Sequence, residues 1–155
     1  MMISYRKAVL DDMDDLLKTR IDFLRNAKNI RDENDEKALL SSNREFLLSS
    51  LTDGSFVQHL AIDGDKIVGT SSVSFYILPP NAMRLSGKVA YIANMFTYPE
   101  YRRQGIATKL FALSVDSAKE YGCREICLDA TEMGRPIYEK YGFKQNNDAM
   151  CYYVR

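Results

Sequence analysis

The sequence predicts a fold of the α/β or α+β class, in which helices pack on a mixed sheet. Some segments alternate hydrophobic and polar residues with a period of two, and others repeat hydrophobic residues at helical spacing. Their order combines an antiparallel meander with a strand–helix–strand crossover. The 155 residues fit one domain, residues 1–155, and a hydrophobic share of 46% can supply its core.

The N-terminal part predicts one strand and two helices. Residues Ile3–Val9 are expected to form the strand. A helix follows, in which apolar residues recur every three or four positions, and four aspartates at positions 11–15 lie at its positive end. After the charged connection Arg31–Glu36, a second helix is predicted over Glu36–Leu51. The apolar positions of the first helix are Met13, Leu16, Leu17, Ile21 and Leu24.

The middle of the chain predicts three strands. Residues 56, 58, 60 and 62 share one face of a strand, and residues 57, 59 and 61 share the other. Asp63-Gly64-Asp65 is a hairpin turn signal, because glycine tolerates a positive φ. The return strand is expected over Ile67–Leu78, and Lys88–Thr97 forms a third strand after a proline-containing loop.

The C-terminal part predicts a helix over Gln104–Tyr121, a short buried strand over Glu125–Ala130 and a short helix over Arg135–Tyr141. Gly142 fits the C-terminal cap of that last helix. Residues Phe143–Val154 are expected to hold two short strands.

Composition argues against several classes of protein. The formal net charge of +0 argues against a nucleic-acid binder, which would need a basic excess to neutralise phosphates. No apolar run approaches the ~20 residues that span a bilayer, so no membrane association is expected. Three irregularly spaced cysteines indicate a reducing, cytoplasmic setting. A zinc site is not expected, because His59 is the single histidine of the sequence.

The segment between the third strand and the long helix is the most informative. Gly105 lacks a side chain, so a ligand can approach the backbone there, and the first N–H groups of a helix point outward without partners. Arg102 and Arg103 add positive charge, and a pyrophosphate would fit this helix start. The alternative is that Gly105 eases packing and the arginines are merely solvated. The residues by themselves leave both interpretations open.

Two segments resemble the GCN5-related N-acetyltransferase (GNAT) superfamily. Arg102–Ala107 resembles its Arg/Gln-x-x-Gly-x-Gly/Ala signature, and Pro136–Phe143 resembles its Tyr-Glu-Lys-x-Gly-Phe segment. Ile92–Thr97 is similar to the strand that precedes the signature, and the order of elements matches over nearly all of the chain. The resemblance implies a mixed, mostly antiparallel central sheet with helices on both faces and strands that splay apart at an acyl-CoA site.

The resemblance also implies a cofactor site for acetyl-CoA as co-substrate, without a metal. The pantetheine arm would run beside Met95, Phe96 and Thr97, with the Met95 N–H donating to the developing oxyanion. Tyr138 would act as general acid, and Thr131 lies where many relatives carry an asparagine. The backbone N–H groups that would hold the pyrophosphate, beside the Arg102 side chain, belong to Arg103, Gln104, Gly105, Ile106, Ala107 and Thr108.

No general base is evident from the sequence. Asn94 cannot take a proton, the directions of Asp129 and Glu132 are undetermined, and His59 is more typical of a half-buried structural residue than of a base. A chain of water molecules to bulk solvent is a sufficient alternative.

The function implied is transfer of an acetyl group from acetyl-CoA to a primary amine by direct attack. A small-molecule amine is the expected partner, and a homodimer stays open. Two alternatives remain: a sensor that binds acyl-CoA without transfer, and a protein N-terminal or lysine acetyltransferase. An amino acid, a polyamine, an antibiotic and a protein N-terminus are not distinguished. The acidic residues at 32–36 could attract an amine or simply form a solvated helix boundary.

Overall fold

A computed structural model describes residues 2–146 and 148–155. One five-stranded sheet holds its strands in the order β1-β2-β3-β4-β5, with antiparallel neighbours except for the parallel pair β4–β5. The mixed, mostly antiparallel sheet predicted from the sequence is therefore confirmed. The strands are β1 (Ile3–Lys7), β2 (Phe56–Asp63), β3 (Lys66–Ile77), β4 (Lys88–Thr97) and β5 (Glu125–Leu128).

Helices cover both faces of this sheet. Helices α1 (Met13–Asn26) and α2 (Glu33–Asp53) pack on one face, where Leu60 belongs to the same buried cluster as their leucines. Helices α3 (Ile106–Tyr121) and α4 (Arg135–Tyr141) pack on the other. Strand β2 shows why, since its even-numbered apolar residues face α1 and α2 and Ala61 faces α3.

Strand β4 is irregular in its second half. Thr70 pairs with Phe96 and Ser72 pairs with Ala93, so Ser71 of β3 lies opposite the two residues Asn94 and Met95. This is a β-bulge, and Asn94 adopts a positive φ of 55° within it.

The parallel pairing of β4 with β5 ends at the same place. Its last register pair is Ile92 with Leu128, and from Ala93 onward β4 has no β5 partner in the ladder. Pairing between the two strands therefore stops, at the end of β5, where the resemblance implies a splayed acyl-CoA site.

The boundaries of some elements differ from the prediction. Helix α2 begins three residues early, because the Asp32 carboxylate caps it by accepting the Asp35 N–H at 2.9 Å. Helix α3 begins at Ile106 and not at Gln104, since Gly105 has a left-handed φ of 82°. Strands β1 and β5 end two residues earlier than expected.

The prediction of two strands in the C-terminal tail is wrong for the described residues. Residues 143–146 and 148–155 contain no strand, and Tyr152 and Tyr153 are exposed. Strand propensity reports how a side chain fits a pleated, half-buried surface, and beyond Phe143, which packs on Phe111, the described residues are exposed.

Two further findings concern membrane-spanning helices and the cysteines. Within the described residues, no helix combines the length and apolarity that crossing a bilayer requires. Cys123, Cys127 and Cys151 are free thiols.

Candidate active site

The turn between β4 and α3 is held open by its backbone conformation. Arg103 and Gly105 both have positive φ angles, of 61° and 82°. A methyl group on Gly105 would meet no protein atom within 4 Å, so the space beside its Cα faces outward. The missing side chain therefore keeps the surface of the turn clear and does not serve helix packing.

Six consecutive peptide N–H groups of this turn, from Arg103 to Thr108, have no protein acceptor within the described part of the chain. The first N–H group of α3 with a partner is that of Lys109, which donates to the Gly105 carbonyl at 3.1 Å. Unpaired donors at a helix start and the positive end of the helix dipole together form an anion site. A pyrophosphate at this turn, which the resemblance implies, stays a prediction.

The two arginines of the turn behave differently. Arg102 donates from Nε to the Thr97 carbonyl at 2.9 Å and reaches the Asn26 side chain at the end of α1 at 3.4 Å. It therefore ties the turn to the end of β4 and to α1. Arg103 is exposed and remains available to a phosphate.

The edge of β4 beyond Ile92 offers backbone groups to an extended ligand. Met95, Phe96 and Thr97 have no partner on the β5 side, so an amide-containing chain could pair with them like an added strand. Met95 belongs to the bulge and lacks a register partner on β3 as well. This edge leads from the anion-binding turn to the bulge.

Tyr138 packs beside the end of the β4–β5 ladder. It is 6% exposed and belongs to an apolar cluster that also includes Met95 of β4 and Leu128 of β5. Its hydroxyl lies beside Gly134, where an added methyl group would be 2.8 Å from the oxygen. Burial raises the pKa of the Tyr138 phenol above its usual value of 10.0, so the group holds its proton at neutral pH.

The remaining residues singled out in the sequence fall in three places. The Thr131 hydroxyl accepts the Gly134 N–H at 3.2 Å and so helps to begin α4. Asp129 accepts a hydrogen bond from Tyr91, and burial together with this bond raises the pKa of Tyr91 to about 12. Glu132 is exposed on the connection between β5 and α4.

His59 lies on the face of the sheet that packs against α3. Its Nε2 is 2.9 Å from the Ser117 hydroxyl, and it is 4% exposed. Burial, with a smaller effect of Lys7, lowers its pKa to about 4. This placement favours the structural interpretation of His59 over a role as base.

A cavity of about 320 Å³ lies on the opposite face, between the sheet and helices α1 and α2. Its walls include Arg20 and Phe23 of α1, Ser72 of β3, and Tyr91 and Asn94 of β4. Asn94 belongs both to this wall and to the bulge, so the cavity begins where the open edge of β4 ends. The volume lies at the lower end of the range of about 300–1,000 Å³ for small-molecule sites.

The acidic residues between α1 and α2 do not line this cavity. Asp35 pairs with Arg31 at 2.7 Å, and Glu36 pairs with Arg25 at 2.6 Å. They form a helix boundary, as the simpler of the two interpretations expected.

Sequence reasoning missed the residues of the cavity, although two signals were present. Arg20 lies on the apolar stripe of α1, four residues after Leu16 and four before Leu24, where a cation is unexpected. The hydroxyl residues at positions 70, 72 and 74, which share one face of the strand, interrupt an otherwise apolar strand. Polar side chains on a core-facing pattern indicate a lined cavity.

Comparisons with known proteins agree with this geometry. The model of the GNAT acetyltransferase family matches residues 14–143. The chain is 34% identical over 98 residues to N-alpha-acetyltransferase 30 of Schizosaccharomyces pombe, covering 61% of this chain and 62% of that protein. It is 29% identical over 85 residues to a glucosamine 6-phosphate N-acetyltransferase of Trypanosoma brucei brucei, covering 55% and 56%. The chain thus spans about three fifths of the length of these curated relatives.

A solved structure resembles the fold over almost the whole chain. It is a predicted acetyltransferase from Clostridium acetobutylicum with acetyl-CoA, at a TM-score of 0.88 and 31% identity, covering 98% of this chain and 96% of that one. The family match extends over most of the sequence and includes both segments on which the resemblance depended. The chain therefore belongs to the GNAT family of acetyltransferases.

Proposed function

We propose that the chain is a single-domain N-acetyltransferase that moves an acetyl group from acetyl-CoA to a primary amine by direct attack. The observation that carries this proposal is the bulge at Asn94 and Met95. The open edge of β4 reaches it from one side, and the cavity reaches it from the other. A thioester and an amine approaching from these two directions would meet there.

The cofactor would be held mainly by backbone groups. In this proposal the six N–H groups from Arg103 to Thr108 bind the pyrophosphate. The exposed Arg103 side chain adds positive charge, and the Arg102 side chain stabilises the turn. The pantetheine amides pair with Met95, Phe96 and Thr97. Thr131 is also predicted to contact the pantetheine. Its hydroxyl oxygen accepts the Gly134 N–H, so its hydroxyl proton is free to donate to the ligand.

The reaction forms one bond and breaks another at the thioester carbon. The neutral amine attacks the carbonyl, and the Met95 N–H would donate to the oxygen as negative charge develops on it. As the carbon–sulfur bond breaks, Tyr138 would give its proton to the departing thiolate. The surplus proton of the new amide nitrogen passes to solvent, which also returns a proton to Tyr138.

The size of the cavity favours a small-molecule acceptor. A protein N-terminus or lysine would call for an open groove. The cavity between two helices and three strands is partly open to solvent, so its volume, and not its enclosure, supports a small acceptor. The S. pombe relative is named an N-alpha-acetyltransferase and the trypanosomal one a glucosamine 6-phosphate N-acetyltransferase, so the names of these relatives do not identify the acceptor of this chain.

The proposal is tested by ligand binding and by turnover. CoA should raise the melting temperature in proportion to the logarithm of its excess over Kd, ADP should do so weakly and NAD not at all. Acetyl-CoA consumption should then depend on an added amine. CoA binding without transfer to any pooled amine would favour the sensor interpretation, and absence of a shift at millimolar CoA would exclude both. The cytoplasmic setting stays a prediction.

A further inference from the structure

Arg20 is placed unusually for a helical arginine. It is half-buried in the wall of the cavity, its guanidinium donates to the Asn94 side chain and it lies 5.4 Å from the centre of the Phe23 ring. The charge therefore lies beside the bulge at which the acyl group would arrive.

No carboxylate compensates this charge among the described residues. Two neighbours on the same helix differ, since Lys18 pairs with Asp22 at 2.9 Å and Arg25 pairs with Glu36 at 2.6 Å. Burial without an ionic partner lowers the pKa of Arg20. A desolvated guanidinium with spare donors is an incomplete ion pair, and an anion from a ligand would complete it.

The described residues of the cavity wall offer no negative charge to a polycation. Arg20 is the one charged residue among its described lining residues, which include no aspartate or glutamate. Two of the hydroxyls already donate to β4, from Thr70 to the Asn94 carbonyl at 2.9 Å and from Ser72 to the Ala93 carbonyl at 3.1 Å. A polyamine or a multiply charged amino sugar would meet a positive charge there without a counter-charge.

We propose that the acceptor is a compact primary amine carrying an anionic group, a carboxylate or a phosphate, which pairs with Arg20. This inference rests on the proposed acetyl transfer and adds the substrate class. Because the guanidinium already touches the bulge residue Asn94, the anionic group and the reacting amine must lie close together in the acceptor. An amino acid meets this condition, and so does a small aminated phosphate.

The first test compares matched pairs of amines. The panel holds amino acids and their amides, glucosamine 6-phosphate and glucosamine, phosphoethanolamine and ethanolamine, and spermidine. The anionic member of at least one pair should have a kcat/KM roughly 10- to 100-fold above its neutral partner, the value of one charge-assisted hydrogen bond. The pair with the largest ratio distinguishes a carboxylate from a phosphate.

The second test separates anion binding from support of the bulge. Arg20→Met keeps much of the side-chain volume and removes the charge, and it should reduce that ratio to about one while the KM for acetyl-CoA stays within roughly twofold. Arg20→Lys keeps the charge and should retain part of the ratio. Arg25→Met, on the same helix but paired with Glu36 outside the cavity, should keep the whole ratio.

The outcomes of the two tests distinguish failure of the inference from failure of the acetyltransferase proposal. Equal loss of kcat for every amine in Arg20→Met, with an unchanged ratio, would show that Arg20 only supports the bulge and would overturn the inference. Preferred turnover of spermidine or of the neutral partners would overturn it and leave the acetyltransferase proposal standing. Absence of transfer to any amine, tested with protein that binds CoA, would reject the acetyltransferase proposal and with it the inference.

Discussion

The two sides of the β4 bulge offer different chemical groups to a ligand. On the side proposed for the cofactor, the available groups belong to the backbone, at the turn 103–108 and along the strand edge 95–97. On the side proposed for the acceptor, side chains from two helices and three strands line a cavity, with Arg20 as the charged member among the described residues. The first side would bind its ligand through the backbone, and the second through side chains.

This difference explains what a sequence can reveal about each side. A backbone site requires a few residues in a fixed local order, above all a small residue at Gly105, and it therefore leaves a continuous motif. A side-chain pocket requires only that its residues meet in three dimensions, from positions as distant as 20 and 94. The comparison predicts that variants on the two sides change different kinetic constants.

The largest effect is expected at Tyr138, which belongs to neither side but lies beneath both. Tyr138→Phe removes the hydroxyl and keeps the buried ring, so kcat should fall roughly 10²- to 10⁴-fold, the usual range for a positioned acid. The KM for acetyl-CoA should change little, because the proposal assigns cofactor binding to backbone groups. Steady-state kinetics under conditions where chemistry limits the rate measure both constants.

Tyr141 supplies the matched control for this variant. It lies on the same helix, contacts the same Phe111 ring and carries a hydroxyl that accepts from Lys119 at 3.1 Å, on the surface. Tyr141→Phe should leave kcat unchanged. A loss confined to KM in Tyr138→Phe would make Tyr138 a binding residue, and equal kcat values for both variants would remove it from the mechanism.

The next effect tests the cofactor side alone. Gly105→Leu places a side chain where the turn is open, so CoA affinity should fall by roughly 100-fold, about the loss of one or two hydrogen bonds to a charged group. The left-handed φ of 82° adds strain, and stability should fall by about 1–2 kcal/mol. Melting temperatures with and without CoA report both changes.

Gly54 at the end of α2 provides a control that separates backbone strain from obstruction of the cofactor site. It has a φ of 78° and, like Gly105, no protein atom within 4 Å of an added methyl group. Gly54→Leu should therefore cost similar stability and retain the full CoA shift. If both variants lose the shift equally, the turn is not the cofactor site.

The sequence predicted the scaffold well because its signals were local. Alternation in β2 assigned Leu60 and Ala61 to opposite faces, and both faces are confirmed. The meander and the crossover together predicted the mixed sheet. The described tail residues, 143–146 and 148–155, show the limit, since strand-forming residues form a strand only beside a partner, and no local pattern provides that partner.

The residues of the candidate active site also differ in how far the sequence predicted them. The motif directed attention to Gly105 and to the β4 edge, and the structure adds the bulge at Asn94 and Met95 that joins this edge to the cavity. Arg20 was overlooked, because a cation on an apolar stripe has meaning only once the opposite wall is known. The general base stays unidentified, since no carboxylate or imidazole lines the cavity in the described residues.

The smallest expected effect concerns His59, which lies on the opposite face of β2 from its neighbour Gln58. Gln58 lines the cavity, whereas His59 lies buried against α3 with its pKa lowered from 6.5 to about 4. Because the folded state binds the proton less tightly than the unfolded state, His59 favours folding above pH 6.5 and this contribution is lost as the pH falls toward 4. The free energy of unfolding should drop by about 2 kcal/mol between about pH 7.5 and 5 on this account.

Urea unfolding of the wild type and of His59→Gln at both pH values isolates this contribution. Carboxylates also titrate in this range, but they do so in both proteins, so the difference between the two pH slopes belongs to the imidazole. Lys7 and Asp116 act on the ring with opposite sign, which makes burial the dominant cause. The variant should be less stable at neutral pH, because it loses the fit to Ser117, and should lose less on acidification. Identical slopes would mean that the folded protein accepts a proton on His59 without penalty, and a loss of turnover beyond the loss of folded protein would reopen its role as a base.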